Sequence, residues 1–124
     1  MYTNIKVRVA PSPTGPLHVG GIRTALYNFL IAKKYKGKFI LRIEDTDRKR
    51  YVNGAEDYIK NALDWLELKT DENPYTCGPS IFYRQSERNH IYQEKIKILL
   101  DRDLAYYAFD SEKELEDMRN NLIN

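Results

Sequence analysis

Apolar positions along the chain change period repeatedly, and each change marks an element. Ile5, Val7 and Val9 alternate with polar residues, the two-residue period of a strand with one buried face. Pro11, Pro13, Gly15 and Pro16 then bar regular structure. From Val19 the period lengthens. Ile22, Leu26, Phe29 and Leu30 fall at i, i+4, i+7 and i+8, which predicts one apolar stripe on a helix ending near Lys36 and Gly37. Residues 38–43 (KFILRI) predict a second strand. Strand, helix and strand with short joins predict a βαβ unit, with parallel strands and a right-handed crossover.

Further on, Asn53 followed by Glu56 predicts a helix start, and Ala55, Ile59, Ala62, Leu63 and Leu66 give the helix its apolar face. Tyr58 and Trp65 read as core or edge packing rather than as a stacking platform for bases. Residues 66–70 predict a short third strand. Residues 71–80 are turn-rich, and Cys77 within them reads as an incidental thiol. Ser86 is the expected cap of a third helix with a broad stripe: Ile91, Tyr92, Ile96, Leu99 and Leu100. Residues 104–109 (LAYYAF) predict an apolar strand, with Tyr106 and Tyr107 in its core. Ser111 and Glu114 form a capping box before a final helix with Leu115, Met118 and Leu122 on one face.

Composition narrows the function classes. The chain has 124 residues, 42% hydrophobic and 31% charged, with a net charge of +2, so any basic footprint for nucleic acid must be local. The one cysteine, Cys77, excludes an internal disulfide and a multi-cysteine zinc site. The first residues lack the apolar core of a signal peptide, and no apolar run is long enough to span a bilayer, so a cytoplasmic location is expected.

Candidate chemistry gathers at two places. The first turn ends a strand and aims a helix N-terminus, with His18, Gly20 and Gly21, at whatever lies above it. Unpartnered amides at a helix start carry partial positive charge and suit an anion, and glycines permit its close approach. A strand–turn–helix that merely packs would use the same turn residues. No Gly-Lys-Ser/Thr follows, so this is not a P-loop. At the second place, Glu44, Asp45 and Asp47 stand at the carboxyl end of the second strand, the edge where open α/β sheets bind ligands. A solvated charged loop beside Arg42, Arg48 and Arg50 is the plainer alternative.

The string APSPTGPLHVGG at residues 10–21, followed by RTALYNFL and by RIEDTD at 42–47, closely resembles the N-terminal half of class I aminoacyl-tRNA synthetases, specifically the glutamyl-tRNA synthetase family. HVGG at 18–21 is similar to that class's HIGH signature. YRQSER at 83–88 and AYYAFDS at 105–111 match later parts of the family, so the resemblance covers essentially the whole chain.

That resemblance implies a Rossmann-type parallel sheet. Residues 1–82 would be the first half of the nucleotide-binding catalytic domain, and 83–124 the start of an α+β insertion that binds the tRNA acceptor stem. It implies ATP with Mg2+ as a substrate complex, with L-glutamate and tRNA(Glu) as partners. His18 would donate to the ATP phosphates, with Gly20 and Gly21 keeping the nucleotide pocket open. Pro11, Ser12, Pro13, Thr14 and Gly15 would complete the ATP site. Arg8, Ala10, Ser12 and Glu44 would contact glutamate. Arg8 would pair a carboxylate and Glu44 would receive the ammonium. Arg50 and Arg84 would lie near the acceptor end.

Some relatives carry zinc through cysteines near residues 106–109; here Tyr107 and Phe109 stand there, so no structural zinc is expected. The family's KMSKS-type loop is not among these residues, so the chain alone is expected to be inactive. The full-length form is expected to be monomeric. The alternatives are a paralogue that places glutamate on a modified tRNA base, and a non-catalytic remnant that binds tRNA.

Overall fold

The structure, a computed structural model, describes residues 4–76 and 82–123. Strands β1 (Lys6–Val9) and β2 (Lys38–Leu41) pair in parallel, in register from Lys6 against Lys38 to Val9 against Leu41. Helix α1 (Val19–Lys34) joins them, which gives the predicted βαβ order. Strand alternation sends Val9, Phe39 and Leu41 to one face. There they form one core with Ala25 and Ala32 of α1 and with Ile59 and Leu63 of α2 (Ala55–Trp65). Phe29 meets Phe39 edge-on, with ring centroids 5.9 Å apart. Phe39, Leu41, Ile43 and Ile59 are the largest fully buried apolar side chains among the described residues, each contributing about 1.5–3 kcal/mol.

The buried face of α1 differs from the predicted stripe. Leu26 and Leu30 are exposed, whereas Ala25 and Ala32 are buried. Small alanines bring the helix backbone close to the sheet, and the bulkier leucines are turned aside.

Strand β2 uses both edges. Its even-numbered amides bond toward β1: Lys38 to Ile5, Arg42 to Val9 and Glu44 to Pro11. Its odd-numbered amides bond to two later segments, Leu41 to Glu72 and Ile43 to Tyr83, and Gln85 N–H returns to Ile43. Regular strand ends at Leu41, short of the predicted 43, but Ile43 still bridges Arg84.

No strand forms at 66–70. Leu66 caps α2, Glu67 adopts a left-handed φ of 58°, and the Leu68 amide turns back to the Leu63 carbonyl. Leu68 enters the core instead, and the chain reaches β2 as a single bridge at Glu72.

Two further expectations about α2 change. Its N-cap is Gly54, at φ 80°, not Asn53, and no side chain caps it. Glu56 reaches Arg84 rather than back to its own helix start. Trp65 is 83% exposed and Tyr58 is also exposed, so neither enters the core, and both line a hollow at its edge with Leu17 and Leu66. At 3.6 residues per turn, both lie on the flank opposite Ile59 and Leu63.

The chain divides into two compact units, Met1–His90 and Ile91–Asn124. Residues 83–85 complete the β2 ladder and so lie in the first unit. Ser86 opens a single 3₁₀ turn (Ser86–Arg88) rather than capping the helix, and α3 (Asn89–Asp101) follows.

In the second unit, α3 ends as α2 does: Asp103 is left-handed and the Leu104 amide returns to Leu99. The predicted strand at 104–109 is absent, and Tyr106, Tyr107 and Phe109 are exposed rather than in a strand core. The Leu104 amide is spent on the α3 end rather than on a strand partner, and Tyr107 stacks on Phe109 at 6.3 Å. The predicted capping box does form: Ser111 N–H donates to Glu114 at 2.6 Å and Glu114 N–H to Ser111 Oγ at 3.3 Å, opening α4 (Glu112–Ile123).

Candidate active site

The turn between β1 and α1 is held from three directions. The Glu44 amide donates to Pro11 O at 3.0 Å and the Val52 amide to Pro13 O at 2.9 Å. Within the turn, the Thr14 amide donates to Ser12 O at 2.9 Å. Pro13 is fully buried beneath it. Gly15 adopts φ 147°, which L side chains rarely reach.

His18 is the N-cap of α1, and its Nδ1 accepts the Gly20 amide at 3.1 Å. Accepting that proton requires a lone pair on Nδ1, so the neutral ring carries its own proton on Nε2. The glycines serve this arrangement directly. A Cβ on Gly20 would lie 2.9 Å from His18 Cε1, and one on Gly21 would lie 2.9 Å from Leu17 Cδ1. The imidazole and Leu17 thus pack directly against the two glycines.

A cavity of about 380 Å³ opens over this turn, lined by Pro11, Ser12, Thr14, Gly15, Pro16, Leu17, His18, Gly21 and Ile59. Most of the predicted ATP-binding residues therefore meet in one place. Gly20 lies behind the His18 ring and Pro13 lies underneath.

Beside it, on the sheet face opposite the core, a charged cluster sits at the carboxyl end of the strands. Arg42 Nη2 lies 2.9 Å from Glu44 Oε1, and Arg8 Nη1 lies 3.9 Å from the same oxygen. At the amino end of that face, Glu72 bridges Lys38 at 2.9 Å and Lys6 at 3.4 Å. The Tyr83 hydroxyl adds a 2.9 Å bond to Glu72, and Lys38 first, aided by Tyr83, holds the buried carboxyl below its ordinary range. Glu44 and Arg8 thus lie together, half-exposed, and are joined through the Glu44–Pro11 bond to the turn. Arg42 was expected beside these acids only as part of a charged loop, not as a partner of Glu44.

The other acids do different work. Asp45 is buried, and accepts the Ser86 amide at 2.9 Å and the Ser86 hydroxyl at 2.6 Å. Burial opposes its ionisation, but these bonds outweigh that and hold its carboxyl below the ordinary value. Asp47 holds Arg50 at 2.6 Å, and Arg50 remains largely exposed. Arg84 is engaged within the protein: Nε and Nη2 lie 3.1 and 2.9 Å from Glu56, and Nη1 lies 3.5 Å from Glu87. No cluster of three or more His, Cys, Asp or Glu that would hold a metal ion occurs among the described residues. None of their helices is long and apolar enough to cross a membrane.

A helix-capping histidine over a glycine-bearing turn, beside an Arg–Glu–Arg cluster at the strand ends, follows the layout of a nucleotide-using α/β enzyme. The chain belongs to the class I tRNA synthetases (E and Q), whose catalytic-domain model matches residues 4–124. Among its relatives is the glutamate–tRNA ligase of Amoebophilus asiaticus, 56% identical over 122 residues, covering 98% of this chain and 24% of that protein. That of Azobacteroides pseudotrichonymphae is 57% identical over 119 residues, covering 96% and 22%. Among solved structures, the glutamate tRNA ligase of Elizabethkingia meningosepticum in complex with its amino acid superposes with a TM-score of 0.88 at 54% identity, covering 96% of this chain and 24% of that one. The glutamate-tRNA synthetase of Elizabethkingia anophelis gives 0.89 at the same identity and coverage. The chain spans about a quarter of the length of the curated relatives it matches.

Proposed function

We propose that this chain supplies the first part of a glutamate–tRNA ligase, which activates L-glutamate with ATP and transfers it to tRNA(Glu). The observation that carries this reading is the His18 cap. With Nδ1 occupied by the Gly20 amide, the Nε2–H is left to donate to a phosphate oxygen in the cavity above the turn. ATP would lie over residues 11–21, with Mg2+ carried on its phosphates.

In the first step an α-carboxylate oxygen of glutamate attacks the α-phosphorus of ATP. The new O–P bond forms as the bond to the bridging oxygen breaks, and pyrophosphate leaves with that electron pair. In the second step a hydroxyl of the terminal ribose of the tRNA attacks the activated carbonyl, AMP departs and the hydroxyl proton is lost. Both steps depend on positioning and on balancing charge at phosphorus and at the carbonyl. Arg8 suits a planar carboxylate, Ser12 and the Ala10 backbone region suit the amino-acid end, and Glu44 suits the ammonium. Two guanidiniums and one carboxylate leave the cluster with one net positive charge, which complements the single net negative charge of glutamate. Arg50, exposed beside Asp47, is the residue proposed for the tRNA acceptor end. Arg84, held by Glu56, would act there by fixing the backbone of residues 83–85.

The 124 residues alone would not complete the reaction, because the KMSKS-type loop that stabilises the transition state is not among them. The test is pyrophosphate exchange, with ATP, glutamate and tRNA, by this chain joined to the downstream remainder of the Elizabethkingia anophelis enzyme. Exchange that requires glutamate and falls at least about 100-fold in His18→Ala supports the reading. A soluble, folded fusion that gives no exchange, or exchange unchanged by His18→Ala, overturns it.

A further inference from the structure

Glu44 is placed between two arginines of unequal reach. Arg42 and Glu44 are two residues apart on one strand edge and so project from the same face. The Arg42 backbone is fixed by its amide bond to Val9 O at 3.0 Å. The Arg42 side chain is only 18% exposed, against 45% for Arg8, and it holds Glu44 Oε1 at 2.9 Å, whereas Arg8 stands at 3.9 Å. Its Nε is buried without a partner, and among the described residues the guanidinium's hydrogen bond is to Glu44. Both arginines address the same carboxylate oxygen, and Oε2 has no partner among the described residues.

We propose that Arg42 is a positioning residue for the amino-acid pocket. It holds Glu44 away from Arg8, so that Arg8 stays open to a substrate carboxylate and Oε2 stays open to the ammonium. The inference rests on the reading of Arg8 and Glu44 as the glutamate-binding pair. Without Arg42, the nearest cation to Glu44 is Arg8. The two then close into a direct ion pair, and the pocket blocks itself. The free carboxylate of Glu44 competes with the substrate carboxylate for the same fork, and the pocket loses its net positive charge as well. A lysine at this position keeps the charge but offers a single point of attachment, so it restores the function only in part.

The test is a two-dimensional NMR titration of this chain, joined as above to the downstream remainder of the Elizabethkingia anophelis enzyme, with L-glutamate, and with glutarate, which has both carboxylates and no ammonium. In the wild type, saturable shifts are expected at the amides of Arg8 and Glu44, with L-glutamate binding tighter than glutarate. Arg42→Met is expected to weaken L-glutamate by about tenfold, with Arg42→Lys in between. Adding Glu44→Gln to Arg42→Met is expected to bring glutarate binding back to within about threefold of wild type, because nothing then occupies Arg8. Unchanged amide spectra elsewhere in each variant establish that the fold is intact. No saturable shift with either ligand in the wild type sinks the reading of the pocket, and the inference with it. Normal wild-type binding with Arg42→Met binding equally well overturns the inference alone. So does a loss in Arg42→Met that Glu44→Gln fails to reverse.

Discussion

The Asp45 carboxylate grips Ser86 twice, taking its amide on Oδ1 at 2.9 Å and its hydroxyl on Oδ2 at 2.6 Å. Glu44, one residue earlier, points to the two arginines. Neighbouring acids on one strand edge thus divide two tasks: one faces the pocket, and the other fastens the 3₁₀ turn that precedes α3 to the sheet.

Ser86→Ala removes the hydroxyl bond and leaves the amide bond. Urea unfolding at neutral pH should show a loss of about 1–2 kcal/mol. Because the folded-state pKa of Asp45 is depressed, its contribution is complete above the ordinary value of 3.8 and fades as pH falls through the folded-state pKa below that. The difference between wild type and Ser86→Ala should therefore shrink on acidification below 3.8, and a difference that grows there would contradict the assignment.

His18 has two separable duties. His18→Ala should lose the α1 cap, about 0.5–2 kcal/mol, whereas His18→Asn should keep most of the cap. Both should bind ATP more weakly, since neither presents the imidazole Nε2–H. Melting curves beside nucleotide titrations read the two effects apart. Equal ATP binding by wild type and His18→Asn would remove the phosphate role.

Gly37 lies where α1 returns to the sheet, and a Cβ there would stand 2.3 Å from the Ile5 carbonyl oxygen. That oxygen is fixed by the Lys38 amide at 2.8 Å and has little room to retreat. Gly37→Ala should cost about 1–3 kcal/mol by thermal unfolding, through displacement of β1 from β2.

The Tyr75 hydroxyl is pushed up to about 12 by burial, with the Glu56 charge adding to the effect. A raised folded-state pKa contributes stability that is present below the unfolded value of 10 and is lost as pH rises through 12. Absorbance titration of the tyrosines should show a late component near 12 that Tyr75→Phe removes. Its persistence in that variant would assign it elsewhere.

Much of this was legible in local sequence. The βαβ order, the helix after the proline-rich turn and the Ser111–Glu114 capping box follow from periodicity and cap chemistry, which act within a few residues. What failed depends on distant partners. Asn53 and Glu56 satisfy a capping pattern, but Arg84, far along the chain, claims the Glu56 carboxylate. Ser86 has the chemistry of a cap, but a buried Asp45 takes its hydroxyl. Residues 66–70 and 104–109 have strand-like composition, yet left-handed residues at Glu67 and Asp103 close the preceding helices and redirect the chain. In the site, the turn at 11–21 was visible as a motif, and Arg8 and Glu44 were singled out only through the family resemblance. Arg42 was noted only as a neighbour of the acids, although the signal for its pairing was present: strand alternation puts residue 42 on the same face as 44. The missing piece was the register that sets β2 beside Arg8.

Strand β2 takes its neighbours from both directions in the sequence, and that sets a timetable for folding. As the chain leaves the ribosome, β1, α1 and β2 can associate once Leu41 is out. The odd-numbered edge then waits for Glu72, and after that for Tyr83 and Gln85. At about 5–20 residues per second, the interval between Leu41 and Gln85 lasts roughly 2–9 s. Throughout it the nascent protein carries an open, apolar strand edge able to recruit a neighbouring chain, so translation speed across residues 42–85 bears directly on how much of it escapes aggregation.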